Sequence, residues 1–251
     1  MTKTDFLSGP LPRVFAHRGL HLHKSGVDEN SIQAFQEAII HGATHIESDV
    51  HATSDGVAVL FHDESLARVA SIPRLIAELT FEQLSQISLD NGARIPSLSQ
   101  VLLEFPDLFL NLDIKSREAI SPTVLAIENA SAHDRVLVSS FSNSRRLEAL
   151  KLLTKPVATS GSMRQVILAW LSHSLLFGVG FPRIVREIDA FQIPPRRGVI
   201  RFDRESFIAR ANKHRTEVHF WTINDPLEMK RLLALGASGI VSDRVDLFPK
   251  D

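Results

Sequence analysis

Glu47-Ser48-Asp49 places two carboxylates two residues apart. On a β-strand, side chains at that spacing leave the same face about 7 Å apart, so both acids would enter one space. Asp113 and Lys115, in Asn111-Leu112-Asp113-Ile114-Lys115, repeat the spacing with one acid and one cation. Like charges crowded into one space need a compensating proton or cation. An all-oxygen set suits Mg²⁺ or Ca²⁺ better than zinc or copper. Solvated acids at strand ends are the plain alternative for either pair.

His17 closes one β-rich run and His62 another. Each alone reads as a strand-end or core residue. Together they offer a base to activate an attacking oxygen and an acid to protonate a leaving alcohol, both titrating near neutral pH. Arg18 and Lys115 bring positive charge suited to phosphate oxygens, or else are ordinary surface cations. This is the equipment that cleaving a phosphodiester requires.

These residues need strands to aim them. Strands are expected at 13–16, 45–50, 57–62, 108–114, 136–140, 156–160, 190–193, 217–223 and 239–242, where β-rich runs occur. Ser54-Asp55-Gly56 reads as a hairpin turn between the second and third runs. Helices are expected between the strands, the first starting near Asn30, whose spacing to Gln33 resembles a capping box, and stopping at Gly42. Others fall near 97–104, 122–132, 144–153, 162–177, 204–214 and 226–235. A polar loop follows Gly19, and residues 64–96 read as an excursion with a short helix near 81–86. About eight β units with helices between them form a closed parallel barrel or a doubly wound sheet. Polar residues at the C-terminal ends of several separate strands favour the (β/α)₈ TIM barrel, an α/β fold.

Composition narrows the rest. At 251 residues the chain fits one barrel-sized domain, and no linker or repeat divides it. Lys and Arg total 28 against 29 Asp and Glu, a balance that argues against a broad nucleic-acid or anionic-membrane footprint. With no cysteine, disulfides and thiolate chemistry are excluded. The first ten residues lack the apolar core of a signal peptide, and the apolar stretch near 166–176 is too short to span a bilayer. The expectation is a cytoplasmic protein without stable membrane insertion or a nucleic-acid partner, its oligomeric state left open.

The ordered series His17-Arg18-Gly19, Glu29-Asn30-Ser31, Ile46-Glu47-Ser48-Asp49-Val50, Asp55-Gly56 and His62-Asp63 resembles the glycerophosphodiester phosphodiesterase family. The resemblance resumes at Ile95-Pro96-Ser97-Leu98, Leu112-Asp113-Ile114-Lys115, Trp221-Thr222-Ile223-Asn224-Asp225 and Leu235-Gly236-Ala237 through Ser242-Asp243, and so covers nearly the whole chain. It implies a (β/α)₈ barrel with a small insertion after strand two, here about 64–96. It further implies His17 and His62 as acid/base residues, and Glu47, Asp49 and Asp113 as ligands of one divalent cation. Arg18 and Lys115 would hold the phosphate of a small-molecule phosphodiester, and Trp221, which by itself reads as core, would line the alcohol pocket. Glu29 would support the site or be a loop acid before the helix.

The implied activity is metal-dependent hydrolysis of glycerophosphodiesters to glycerol 3-phosphate and an alcohol. Asp113 stands where the family usually has Glu, a shorter arm that bears on the cation. Leu66-Ala67-Arg68-Val69-Ala70 departs from the usual Leu-Asp-Arg-Thr-Thr, and the insertion is compact. Asp113 also keeps open a related phospholipase D activity on lysophospholipids or sphingomyelin, against which the lack of cysteine and of a leader weighs. A barrel that binds phosphodiesters without cleaving them is the alternative outside enzymology, disfavoured by the intact His pair and acids.

Overall fold

The alternation of β-rich and helical runs closes into a ring. The structure, a computed structural model, describes residues 4–21 and 26–249. The polar loop expected after Gly19 therefore lies partly outside the described residues. The strands are β1 (Arg13–His17), β2 (His45–Ala52), β3 (Ala58–Leu60), β4 (Phe109–Ile114), β5 (Val136–Ser139), β6 (Ala158–Thr159), β7 (Ala190–Ile193), β8 (Arg196–Arg197), β9 (Ile200–Arg201), β10 (Glu217–Phe220) and β11 (Gly239–Ser242). The helices are α1 (Ile32–Ile40), α2 (Ala67–Ala70), α3 (Phe81–Ser85), α4 (Leu98–Glu104), α5 (Ile120–Asn129), α6 (Asn143–Leu152), α7 (Met163–Leu175), α8 (Phe181–Val185), α9 (Glu205–Lys213) and α10 (Pro226–Ala234).

The strand order is β6-β5-β4-β2-β1-β11-β10-β7, and every pairing along it is parallel. A parallel bridge between Ser160 and Ala190 joins the two ends of that order, so the ring is nearly closed. The sequence reading of a (β/α)₈ barrel is thus met. β3 stands outside the ring as the antiparallel arm of a hairpin with β2, pairing Val50 with Leu60 and Ala52 with Ala58. The expected turn forms there, Gly56 N donating to Thr53 O over 3.0 Å.

Helices cover the outside, and apolar faces of strands and helices form the core between them. The barrel's N-terminal end is plugged. Phe6 of the leading 3₁₀ turn lies edge-on to His45 at 4.7 Å, above a buried Arg13–Glu217 ion pair of 2.7 Å. The opposite end is left open as the mouth.

Several boundaries differ from the expectation. Asn30 does not cap α1; its backbone is left-handed at φ 55°, whereas a cap needs an extended residue, and Ser31 accepts from Ala34 N instead. Strand 217–223 stops at Phe220, leaving Trp221 just past its end. The helix expected to 177 stops at Leu175, because Phe177 and Gly178 take φ 52° and 95°. α8 and the β8–β9 hairpin were not anticipated; the hairpin follows Pro194-Pro195, which gives no β signal.

Candidate active site

Strand register assembles the site. β1, β2 and β4 are neighbours, with His17 opposite Glu47 and Asp49 opposite Asp113. Neighbouring strands lie about 4.8 Å apart, so three acids and an imidazole come together without any long side chain. Asp49, Asp113 and Lys115 follow from the same period of two. His62 arrives on the hairpin, which Phe61 N ties to Asp49 O at 3.0 Å. His17, His62, Arg18, Glu47, Asp49, Asp113, Lys115 and Trp221 all line one cavity of about 600 Å³ in the mouth.

The turn after β1 explains His17-Arg18-Gly19. Arg18 and Gly19 take φ 59° and 81°, and a Cβ on Gly19 would lie 2.7 Å from Ala34, so α1 packs there only against glycine. Asn30 pins this turn rather than the helix: its N–H donates to Arg18 O at 2.9 Å and its Oδ1 accepts from Ser48 Oγ at 2.7 Å.

Each histidine is held through Nδ1 by a carboxylate. His17 Nδ1 lies 2.6 Å from Asp243 Oδ1, and Asp243 Oδ2 accepts from Asn224 Nδ2 at 2.8 Å. Burial alone would lower the His17 pKa, but the Asp243 hydrogen bond and the charge of Glu47 outweigh it and raise it. Burial would likewise raise Asp243, yet its bonds to His17 and Asn224 hold it down at about 2. His62 Nδ1 lies 2.6 Å from Asp63 Oδ1. Asp63 Oδ2 accepts from Arg68 Nε at 2.5 Å, and Arg68 reaches Glu29, which also accepts from Arg18 at 3.2 Å. Nε2 of each imidazole is left for proton exchange, His17 Nε2 facing Glu47 Oε2 at 3.8 Å.

The acids are compensated unevenly. Lys115 Nζ lies 2.6 Å from Asp49 Oδ1 and 2.8 Å from Asp113 Oδ2. Burial would lower the Lys115 pKa, but these two carboxylates raise it further; burial raises Asp113 despite the lysine. Among the described residues no Lys or Arg forms an ion pair with Glu47, and burial, then repulsion from Asp49, pushes its pKa up to about 8 despite His17. Glu47 Oε2 and Asp49 Oδ2 are buried without a hydrogen-bond partner. Asp49 Oδ2 faces Arg18 Nε at 3.4 Å and Glu47 Oε2 faces His17 Nε2 at 3.8 Å, both beyond a good hydrogen bond. Buried carboxylate oxygens without one are costly, and a hard cation takes such donors. Among the described residues no three acids or imidazoles are already arranged to hold an ion, and the Lys115 ammonium lies between Asp49 and Asp113. Glu47, Asp49 and Asp113 offer only oxygen donors, the kind that Mg²⁺ or Ca²⁺ takes.

The facing wall is different in kind. Phe141, Met163, Ile193, Phe202 and Trp221 line it, with no carboxylate among its residues. Trp221 meets Phe141 edge-on at 6.3 Å, and Lys115 Nζ lies 5.8 Å from the Phe141 ring centroid. Sequence reasoning gave no role to Asp243, Asn224, Asp63, Arg68 or Phe141, although all but Phe141 stand within the quoted motifs.

If Asp243 positions His17, Asp243→Asn should lower kcat at least about tenfold. The kinetic limb that reports His17 should also move to lower pH, since the bond that raises its pKa is lost. A wild-type pH profile in this variant would deny Asp243 that role, whatever its melting temperature.

The sequence profile of the glycerophosphoryl diester phosphodiesterase family matches residues 17–247. A Mycobacterium tuberculosis protein named "Probable glycerophosphodiester phosphodiesterase 2" is 40% identical over 234 residues, spanning 93% of this chain and 88% of that protein. A glycerophosphodiester phosphodiesterase crystal structure from Thermotoga maritima superposes with a TM-score of 0.73 at 23% identity, covering 95% of this chain and 97% of that one. An Oleispira antarctica phosphodiesterase, solved in complex with the product sn-glycerol-3-phosphate, gives a TM-score of 0.69 at 24% identity, covering 94% of each chain.

Proposed function

This chain belongs to the glycerophosphoryl diester phosphodiesterase family, and from that premise we propose how its mouth hydrolyses glycerophosphodiesters to glycerol 3-phosphate and an alcohol. It is a phosphoric diester hydrolase. The observation that carries the assignment of roles is the shared cavity, in which two carboxylate-held imidazoles face three acids and the cations Arg18, Lys115 and Arg197.

Arg18 and Lys115 bind the phosphate through charge-assisted hydrogen bonds. One of His17 and His62 takes the proton of the attacking hydroxyl at Nε2, and the other returns a proton to the leaving alcohol. Asp243 and Asp63 keep Nδ1 of each ring protonated, so Nε2 is the exchanging atom. Glu47, Asp49 and Asp113 would hold one Mg²⁺ or Ca²⁺. When bound, such an ion neutralises charge on phosphate oxygens and lowers the barrier electrostatically. Trp221 packs against the alcohol moiety from the apolar wall. Among the described residues no helix is long and apolar enough to cross a membrane. We place the enzyme in the cytoplasm, in the turnover of glycerol phosphates from lipids.

The test is release of glycerol 3-phosphate from glycerophosphocholine, with and without a chelator. Turnover that stops with chelator and returns with Mg²⁺ or Ca²⁺ is expected. No turnover under any condition would defeat the hydrolase reading. Turnover indifferent to chelator would defeat only the cation site.

A further inference from the structure

Four large apolar side chains crowd the turn between α7 and α8 and face water. Leu175 is 63% exposed, Leu176 55%, Phe177 91% and Val179 75%. Isolated exposed apolar residues are ordinary, but a contiguous group marks a contact surface. This turn is also built rather than loose. Gly178 N donates to Ser172 O at 2.7 Å, Val179 N to Leu176 O at 2.9 Å, and Ser172 Oγ to Val179 O at 2.8 Å. Arg210 Nη1 reaches across from α9 to Phe177 O at 3.0 Å. Phe177 is held at φ 52°, a left-handed conformation that disfavours a bulky L-residue, and Gly178 follows at 95°. The chain accepts local strain to keep an aromatic ring pointing outward.

The surroundings are cationic. Exposed Arg183 and Arg186 follow the turn on and after α8, and Arg210, Lys213 and His214 line the adjoining surface hollow on α9. Glu187 is the only acid between residues 172 and 188. Glu205 sits at the far end of α9 from Lys213, roughly 12 Å away along the helix. The even charge balance of the whole chain conceals this local excess.

We infer that the 175–179 turn is a docking tip for an anionic lipid surface, with Leu175, Leu176, Phe177 and Val179 entering the interface and Arg183, Arg186 and Lys213 meeting the headgroups. An exposed apolar turn with cations following it on α8 and beside it on α9 suits a headgroup layer, into which Phe and Leu insert while Lys and Arg stay at phosphate level. A stable protein interface covers about 800 Å² on each partner, more than a turn of four exposed side chains offers. Met163, at the start of α7, lines the catalytic mouth, and Leu175 ends the same helix roughly 18 Å away. Docking through the tip therefore leaves the mouth open to water and to soluble glycerophosphodiesters.

Co-sedimentation of the full chain with vesicles tests this. Vesicles of phosphatidylcholine containing about 30% phosphatidylglycerol should bind the protein, pure phosphatidylcholine much less, and high salt should release it. Phe177→Ser with Leu176→Ser should weaken binding at least about tenfold. Arg183→Gln should weaken it about fivefold on anionic vesicles alone. Turnover of soluble glycerophosphocholine by these variants should match wild type, which separates lost docking from lost folding. The inference is overturned if wild type ignores anionic vesicles, or if the serine variant binds them equally well. It is also overturned if the tip drives self-association that Phe177→Ser abolishes, for then the surface joins two copies of the chain.

Discussion

Replacing His17 or His62 by alanine is expected to lower kcat for glycerophosphocholine by about a hundredfold to ten-thousandfold each. The reason is geometric: each imidazole is oriented by its own carboxylate at 2.6 Å and presents Nε2 to the cavity. Because one ring supplies a proton and the other removes one, the double variant should be little worse than either single variant. Stability gives an independent check on His17. Its folded pKa is raised above 6.5, so its protonation stabilises the fold below about pH 6.5, and that help is lost as pH rises through the raised value. His17→Ala should therefore destabilise the protein more at pH 5.5 than at pH 8. A single variant with turnover within tenfold of wild type would remove that residue from the chemistry.

Adding Mg²⁺ or Ca²⁺ to chelator-treated protein at pH 7 is expected to raise the melting temperature by about 5–10 °C at a hundred times the Kd. Glu47→Gln should abolish most of that rise, whereas Glu104→Gln, an exposed acid at the end of α4, should preserve it. The pH dependence of the cation-free protein has a definite sign. Glu47 titrates at about 8 when folded against 4.5 as an ordinary glutamate, so between these values the folded state keeps a proton that the unfolded state releases. Stability attributable to Glu47 is complete below 4.5 and is lost as pH climbs through about 8. Without cation, Glu47→Gln should match wild type near pH 4.5 and exceed it by roughly 1–3 kcal/mol near pH 8. Cation binding at pH 7 should also release protons into weakly buffered solution, since the carboxylate must ionise to coordinate. Equal cation responses in wild type and Glu47→Gln, or an unchanged pH profile of apo stability, would show that these acids hold no ion.

Much of the site is local enough to be written in the sequence. The period of two along a strand puts Glu47 with Asp49 and Asp113 with Lys115. The turn residues after β1 and between β2 and β3 have conformational demands that few residues meet. Alternating runs of β and helical character name the fold class because a parallel strand needs a covering helix before the next. Local signals erred where two readings competed over a few residues. Asn30 looked like a cap but holds the Arg18 turn, and α7 stops before Phe177 although its apolar run continues.

Other features exist only once the ring closes. Asp243 reaches His17 across 226 residues because β11 lies beside β1, and nothing near either residue in sequence announces that neighbour. The Asp63–Arg68–Glu29 chain needs the excursion after β3 folded back over the loop before α1. Lys115 could be read as a phosphate ligand, but its place between Asp49 and Asp113 follows from the β2–β4 register. The eight parallel strands of the ring and the acids that share a strand face are legible in the sequence, since they rest on bonds and torsions within a few residues, whereas the β8–β9 hairpin is not. Which carboxylate serves which histidine, how the acids are neutralised and where apolar side chains stay exposed emerge with the folded ring. Those depend on distances between segments that the chain brings together only by folding.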